Sequence, residues 1–158
     1  MSPDMCVPCG DGLINLRAGA LIVRDGKLLM VRSGHGYYYS VGGRLKFGET
    51  AEDAVVREVF EETGVKLEVD RLAFVEENYF INDMPANLGK TVYELGFYFR
   101  MIVPPDFEPL SQVVTEGESR ERLCWVSPDT PEVLFPEAFR TEALDPSPEV
   151  RHFVKDDR

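Results

Sequence analysis

Between positions 49 and 62 stand six carboxylates, Glu49, Glu52, Asp53, Glu58, Glu61 and Glu62, against one guanidinium, Arg57. On a helix turning about 100° per residue, with Glu58 at zero, Glu61 falls at about −60° and Glu62 at about +40°. The three side chains share one face. Ala51 and Ala54 lie in the same arc, at about +20° and −40°, and leave room above the carboxylates. Like charges this close repel, and one of them would ordinarily take up a proton. A divalent cation removes that conflict. Mg²⁺ prefers carboxylate and water oxygens, often shared with substrate phosphates, so the arc reads as a platform for Mg²⁺ or Mn²⁺. The plainer alternative is a solvated acidic face. Val55, Val56, Val59 and Phe60 occupy the arc from about +60° to +200°, the stripe expected to face the core. Arg57 stands one turn after Asp53 and one turn before Glu61. It is either a surface i,i+4 partner or the residue that orients a catalytic glutamate.

The elements that must position this helix surround it. Thr50 can cap its start, with Asp53 three residues on, and Gly64 suits the position just past its end, so a helix is predicted over 50–63. Residues 18–23 and 28–31 are continuous apolar runs joined by Arg24-Asp25-Gly26-Lys27, a strong hairpin signal. Continuous rather than alternating apolarity suggests strands covered on both faces. Residues 67–80 read as one or two strands, 92–103 as a long strand and 123–126 as a short one. Residues 82–90 and 104–117 read as loops, and 136–144 as a second helix. The ends, 1–11 and 146–158, are expected to be flexible. Strands with one central and one late helix predict an α+β, or mixed α/β, sandwich with helices packed on a curved mixed sheet. The length of 158 residues suggests one domain.

Composition narrows the function. Lys and Arg total 17 and Asp and Glu total 28, for a net charge of −11. Neutralising many phosphates requires a basic face, so bulk nucleic acid is an unsuitable partner and an anionic membrane surface should repel the chain. No apolar run approaches the roughly 20 residues of a membrane span. The N-terminus lacks the basic and apolar regions of a secretory leader, which predicts a cytoplasmic protein. Cys6, Cys9 and Cys124 make an odd count, against a disulfide framework. Cys6-Val-Pro-Cys9 has the spacing of half a zinc site, but no second pair completes it.

The segment Gly43-x5-Glu49-x7-Arg57-Glu58-Val59-x-Glu61-Glu62-x-Gly64-Val65 resembles the Nudix box at every specified position. The resemblance implies an α/β/α sandwich that hydrolyses a nucleoside diphosphate linked to another group. It implies that Glu58, Glu61 and Glu62 bind Mg²⁺ or Mn²⁺ together with the Gly43 carbonyl. It also implies that Arg57 orients a glutamate, that Glu49 pairs with Arg57, and that Gly42 and Gly64 shape the backbone. One departure is Val41, where the family usually has proline before the Gly-Gly turn. Proline presets the backbone but provides no ligand, so altered loop stiffness is expected rather than lost activity.

The implied reaction is attack of water on a phosphorus of the bridge. Glu58 is a candidate general base, with Glu61 beside it. Glu116, Glu118 or Glu121 could supply the base or a further ligand, and each could equally be a loop charge. Arg32 and Arg44 flank the Gly-Gly turn and could hold phosphates. Among Tyr37, Tyr38 and Tyr39, which alternate faces if extended, Tyr39 is taken as a substrate contact and at least one of the three as core. Phe80, beside Tyr79 at a strand end, is a second substrate candidate, whereas Phe97 and Phe99 read as core. The expected partner is a small phosphorylated molecule. A homodimer is compatible with the resemblance, though no residue demands it. Two other classes stand beside the enzyme: a non-catalytic nucleotide-sensing Nudix domain, which a negative substrate screen would favour, and an interaction protein whose acidic helix is mere surface, which a metal titration separates.

Overall fold

The computed structural model describes residues 2–110, 113–116 and 119–158. In chain order the elements are β1 (Cys6–Cys9), β2 (Gly12–Leu21), β3 (Val23–Arg24), β4 (Lys27–Arg32), β5 (Tyr38–Arg44), α1 (Ala51–Thr63), β6 (Glu68–Ile81), β7 (Thr91–Ile102), β8 (Val113–Glu116), β9 (Ser119–Val126), β10 (Leu134–Phe135), α2 (Ala138–Leu144) and β11 (Arg151–Asp156). The main sheet runs β11-β6-β7-β2-β5-β4-β9-β8. It is mixed: β2 lies parallel to β7 and β11 parallel to β6, while β6–β7, β2–β5, β4–β5 and β4–β9 are antiparallel.

The predicted hairpin joins β3 to β4 through Asp25-Gly26, with Arg24 paired to Lys27. Both loop residues have positive φ, 51° and 72°, the geometry of a turn whose twist matches the flanking strands. The continuous apolar runs do serve two faces. Ala18, Ala20, Leu29 and Val31 join Ala54, Val55 and Val59 of α1 in one buried cluster. Leu21, Leu28 and Met30, of opposite parity, join Phe139 of α2 in another. Successive side chains of a strand point to opposite faces, so the helices cover opposite sides and the architecture is α/β/α. Phe139 meets Phe74 and Tyr98 edge-on, at ring separations of 5.8 and 5.6 Å.

Four expectations meet a different outcome. Phe60 is 54% exposed, because α1 is rolled so that Ala54, rather than Phe60, completes its buried side; the small alanine lets the helix approach the sheet. The segment 104–117, read as a loop, contains β8, which pairs with β9. The ends also carry paired strands. β1 pairs antiparallel with β2, and β11 pairs parallel with β6 over Arg151–Asp156. β1 folds back on β2 across Gly10-Asp11, whereas the partner of β11 is a distant strand that local composition does not reveal. Cys6, Cys9 and Cys124 are free thiols.

Candidate active site

α1 begins at Thr50, whose Oγ1 accepts from the Asp53 amide at 3.1 Å while Asp53 Oδ2 accepts from the Thr50 amide at 3.0 Å. These bonds satisfy two amides left open at a helix start and hold the Asp53 carboxyl below its ordinary range. The helix ends at Gly64, whose φ of 76° is left-handed and whose N–H bonds to the Phe60 carbonyl at 2.8 Å. Both ends of the helix are thus set by neighbouring residues, and the register of its carboxylates follows.

Where those carboxylates point is set by packing. The buried residues Ala54, Val55, Val59 and Thr63 span the arc from about −40° to +140°. Glu58 and Glu62 fall inside that arc, toward the sheet, and Glu61 falls at its edge. The Glu58 side chain is accordingly 15% exposed and that of Glu61 51%.

Arg57 ties the site together. Its Nε and Nη2 donate to the two oxygens of Glu49 at 3.0 and 2.6 Å, a bidentate pair. Nη1 donates to Glu58 Oε1 at 2.8 Å and to Glu61 Oε2 at 3.3 Å, and Nη2 also donates to the Arg44 carbonyl at 3.1 Å. Glu49 Oε1 further accepts from the Lys46 amide at 2.7 Å. The Arg57 bonds hold the Glu49 carboxyl below its ordinary range, and Arg57 itself is held more firmly charged than usual. Glu58 behaves oppositely: burial raises its pKa, and the bond from Arg57 offsets only part of that rise.

Gly42 and Gly43, expected in a turn, lie instead within β5, paired with Gly19 and Ala18 of β2, where α1 packs against the strand. A Cβ on Gly43 would stand 2.4 Å from Glu58 Oε1, so glycine leaves a cradle where carboxylate and backbone meet. A Cβ on Gly42 would stand 2.2 Å from the Ala18 carbonyl oxygen and 2.8 Å from Gly19 Cα, both backbone atoms that cannot swing away. The Gly42 φ is +155°. Gly42→Ala is therefore expected to lower stability by about 3 kcal/mol or more, read as a depressed Tm by circular dichroism; an unchanged Tm would refute the clash.

These groups border a cleft of about 1230 Å³. Glu58, Glu61, Glu62, Gly43, Arg44, Tyr39 and Phe80 all line it, as does Glu121, whose carboxylate accepts from the Tyr39 hydroxyl. Tyr38, of opposite parity, is buried in the α2-side core, while Phe99 is buried in the α1-side core and Phe97 packs against it. Arg32 does not border the cleft: Nη1 donates to the Tyr38 hydroxyl at 2.7 Å and to Glu132 at 2.9 Å. Glu118 lies outside the described residues, and Glu116 is described only as the end of β8.

Sequence reading missed the far wall, made of Arg17, Glu76, Asn78, Glu94 and Tyr98. The available signal was a set of polar residues interrupting otherwise apolar strands. Burial works against the Arg17 charge, but Glu94 first, then Tyr98, Glu62 and Glu58, outweigh it, so Arg17 stays cationic beyond its ordinary range. Burial and the neighbouring Glu94 push the Tyr98 hydroxyl well up, so it remains protonated.

Among the described residues, no three His, Cys, Asp or Glu side chains converge as a finished ligand set; Glu58 and Glu61 turn toward Arg57. The donors are nevertheless of one chemical kind. Carboxylates on α1 and a glycine cradle on β5 supply hard oxygens, the set that fits Mg²⁺ or Mn²⁺ and does not suit a thiolate-seeking metal.

Comparison with known proteins gives a consistent result. Residues 14–146 match the family model described as the NUDIX domain. A MutT-like protein of Streptomyces ambofaciens is 45% identical over 129 residues, covering 81% of this chain and 73% of that protein. Among solved structures, the MutT NUDIX hydrolase of Burkholderia pseudomallei superposes with a TM-score of 0.61 at 28% identity, over 83% of this chain and 96% of that one. An ADP-ribose pyrophosphatase of Streptococcus suis shares the fold, with a TM-score of 0.54 at 24% identity, over 87% of this chain and 98% of that one.

Proposed function

This chain belongs to the Nudix hydrolase family and is a pyrophosphohydrolase of that family, and from that premise we propose that it hydrolyses the diphosphate bridge of a nucleoside diphosphate linked to another moiety, with Mg²⁺ or Mn²⁺ as cofactor. The observation that carries the reading is the Arg57 hub, which fixes Glu58 and Glu61 beside the Gly43 cradle at the edge of the cleft. Glu58, Glu61, Glu62 and the Gly43 carbonyl would hold the metal. When bound, it would neutralise phosphate charge and lower the pKa of a coordinated water.

The residues of the chain do the rest. Glu49 anchors Arg57 in two places, so the guanidinium presents Nη1 to Glu58 in a set orientation. Glu58 is raised in pKa by burial, which makes it a better proton acceptor once ionised. It is the candidate base for the attacking water, and Glu118 remains the alternative. Arg44, Arg17 and the aromatic groups Tyr39 and Phe80 supply binding surface in the same cleft.

The test is a hydrolysis screen over nucleoside triphosphates, nucleotide sugars, dinucleoside polyphosphates and NADH, with and without divalent metal, read by chromatographic separation of the nucleotide products. The expected result is turnover of at least one class with Mg²⁺ or Mn²⁺, and none in a chelator. Turnover that persists in the chelator would overturn the metal assignment, and a wholly negative screen would favour the sensing domain. Among the described residues no helix is long and apolar enough to cross a membrane, and the free thiols suit the reducing cytoplasm.

A further inference from the structure

The far wall of the cleft carries polar groups that the hydrolytic machinery does not use. On β6, Glu76, Asn78 and Phe80 follow one another on a single face, as alternation requires, and all three border the cleft. Glu76 is only 8% exposed, yet its carboxyl makes no hydrogen bond to any described residue. Asn78 Oδ1 is fully buried without a partner. Glu94 of β7 stands opposite Asn78 in register, its Oε2 accepting from Asn15 Nδ2 at 2.7 Å. Buried polar groups in folded proteins are nearly always paired, and a specific unpaired one calls for an explanation. Here the buried Asn78 oxygen stands one cleft-facing position beyond a carboxylate that is also unpaired and opens into the cleft.

The chemistry of the strip limits what can pair with it. Ionised carboxylates and an amide oxygen only accept hydrogen bonds. Burial pushes the Glu76 carboxyl up to about 6, with Lys155 lowering it and Glu94 raising it, so near neutrality it is mostly an acceptor. A phosphate placed there would meet two carboxylates. A group presenting N–H or O–H donors would meet the acceptors it needs, with Phe80 beside it as an apolar surface. Arg17 lies between this strip and α1, coupled electrostatically to Glu94 on one side and to Glu62 and Glu58 on the other. Its guanidinium makes no hydrogen bond to a described residue, so its donors are available to an anion at the boundary. The cleft is thus polarised, anion-binding toward α1 and donor-seeking toward β6.

We propose that Glu76, Asn78 and Glu94 form the specificity subsite for the non-phosphoryl part of the substrate, and that this part presents adjacent N–H or O–H donors, as the amino-imino edge of a guanine-type base or the vicinal hydroxyls of a sugar do. The proposal rests on the pyrophosphohydrolase reading for its orientation. Its test does not depend on turnover, because the probes contain no diphosphate bridge.

Binding of guanosine monophosphate, inosine monophosphate, glucose 1-phosphate and inorganic phosphate is measured by calorimetry for the wild type, Glu76→Leu and Asn78→Leu. At least one of the organic probes should bind the wild type at least about tenfold more tightly than inorganic phosphate. That preference should fall by about tenfold in each variant, the equivalent of one lost hydrogen bond, while inorganic phosphate affinity changes less than about twofold. Guanosine over inosine monophosphate identifies the base edge, since only the former has the 2-amino group; preference for glucose 1-phosphate identifies the hydroxyls. Equal binding of all four probes by the wild type, or an unchanged preference in variants that keep the wild-type unfolding transition, overturns the subsite. If Glu76→Leu does not fold, Glu76→Gln keeps the shape, removes the charge and is read in the same way.

Discussion

Glu58→Gln should leave the fold intact and lower kcat by about 10²- to 10⁴-fold, the range typical of losing a positioned acid–base group. The glutamine oxygen can still accept from Arg57 Nη1, the bond that Glu58 Oε1 accepts at 2.8 Å, so the hub survives. What is lost is the ability to take a proton and to offer a charged oxygen to a cation. Stability should move the other way. Burial raises the Glu58 pKa above its ordinary value of 4.5, so ionisation costs the folded state, and that cost appears as pH rises through the raised pKa. Glutamine removes it. The variant should therefore match or slightly exceed the wild-type Tm at pH 7 and show no gain at pH 4. Steady-state kinetics with Mg²⁺, paired with circular dichroism melts at the two pH values, provide the check. Near-wild-type turnover would sink the assignment of Glu58, and a large loss of Tm would show that the activity loss was structural.

Arg57→Ala should destabilise the fold strongly. It removes the cation from Glu49, Glu58 and Glu61 together. Removing one partner of a buried pair typically costs about 3–5 kcal/mol. The side chains of Arg57 and Glu49 remain 22% and 17% exposed, so solvent should reduce this to about 2–3 kcal/mol. The pH dependence has a definite sign. Arg57 lowers the folded pKa of Glu49 below 4.5, so its contribution is present in full above that value and is lost as pH falls through the lowered one. The gap between wild type and variant should therefore be widest near neutrality and narrow under acid conditions. Urea unfolding at pH 7 and at pH 3.5 measures it. A gap of equal size at both values would mean that packing of the arginine stem, not charge pairing, carries the effect. Activity should fall with stability, because Glu58 loses the bond that orients it.

Much of this site was legible in one stretch of chain, for a physical reason. The capping of α1 by Thr50 and Asp53, its end at Gly64 and the shared face of Glu58, Glu61 and Glu62 all depend on residues within a few turns of one another, and helical periodicity carries that information directly. The Asp25-Gly26 hairpin is local in the same sense. The pairing of Glu49 with Arg57 came from the family resemblance, and the structure shows it as two hydrogen bonds.

Rotation of α1 about its own axis was not legible. A helical wheel gives relative angles but no zero, and the zero was set by how closely small residues let the helix approach the sheet. Ala54 turned inward, Phe60 turned out, and Glu58 and Glu62 were carried toward the strands rather than into solvent. The far wall was equally hidden. Glu76 and Glu94 come from consecutive strands and Arg17 from a strand far earlier in the chain, and only the order β6-β7-β2 makes them neighbours. Arg32 was drawn away from the cleft by Tyr38 and Glu132, the latter a hundred positions distant. By itself, then, the sequence determined the acidic helix and the shared face of its carboxylates, because those rest on short-range geometry. Tertiary structure decided which way that helix faces and what stands opposite it, because packing and strand order join residues that the chain keeps apart.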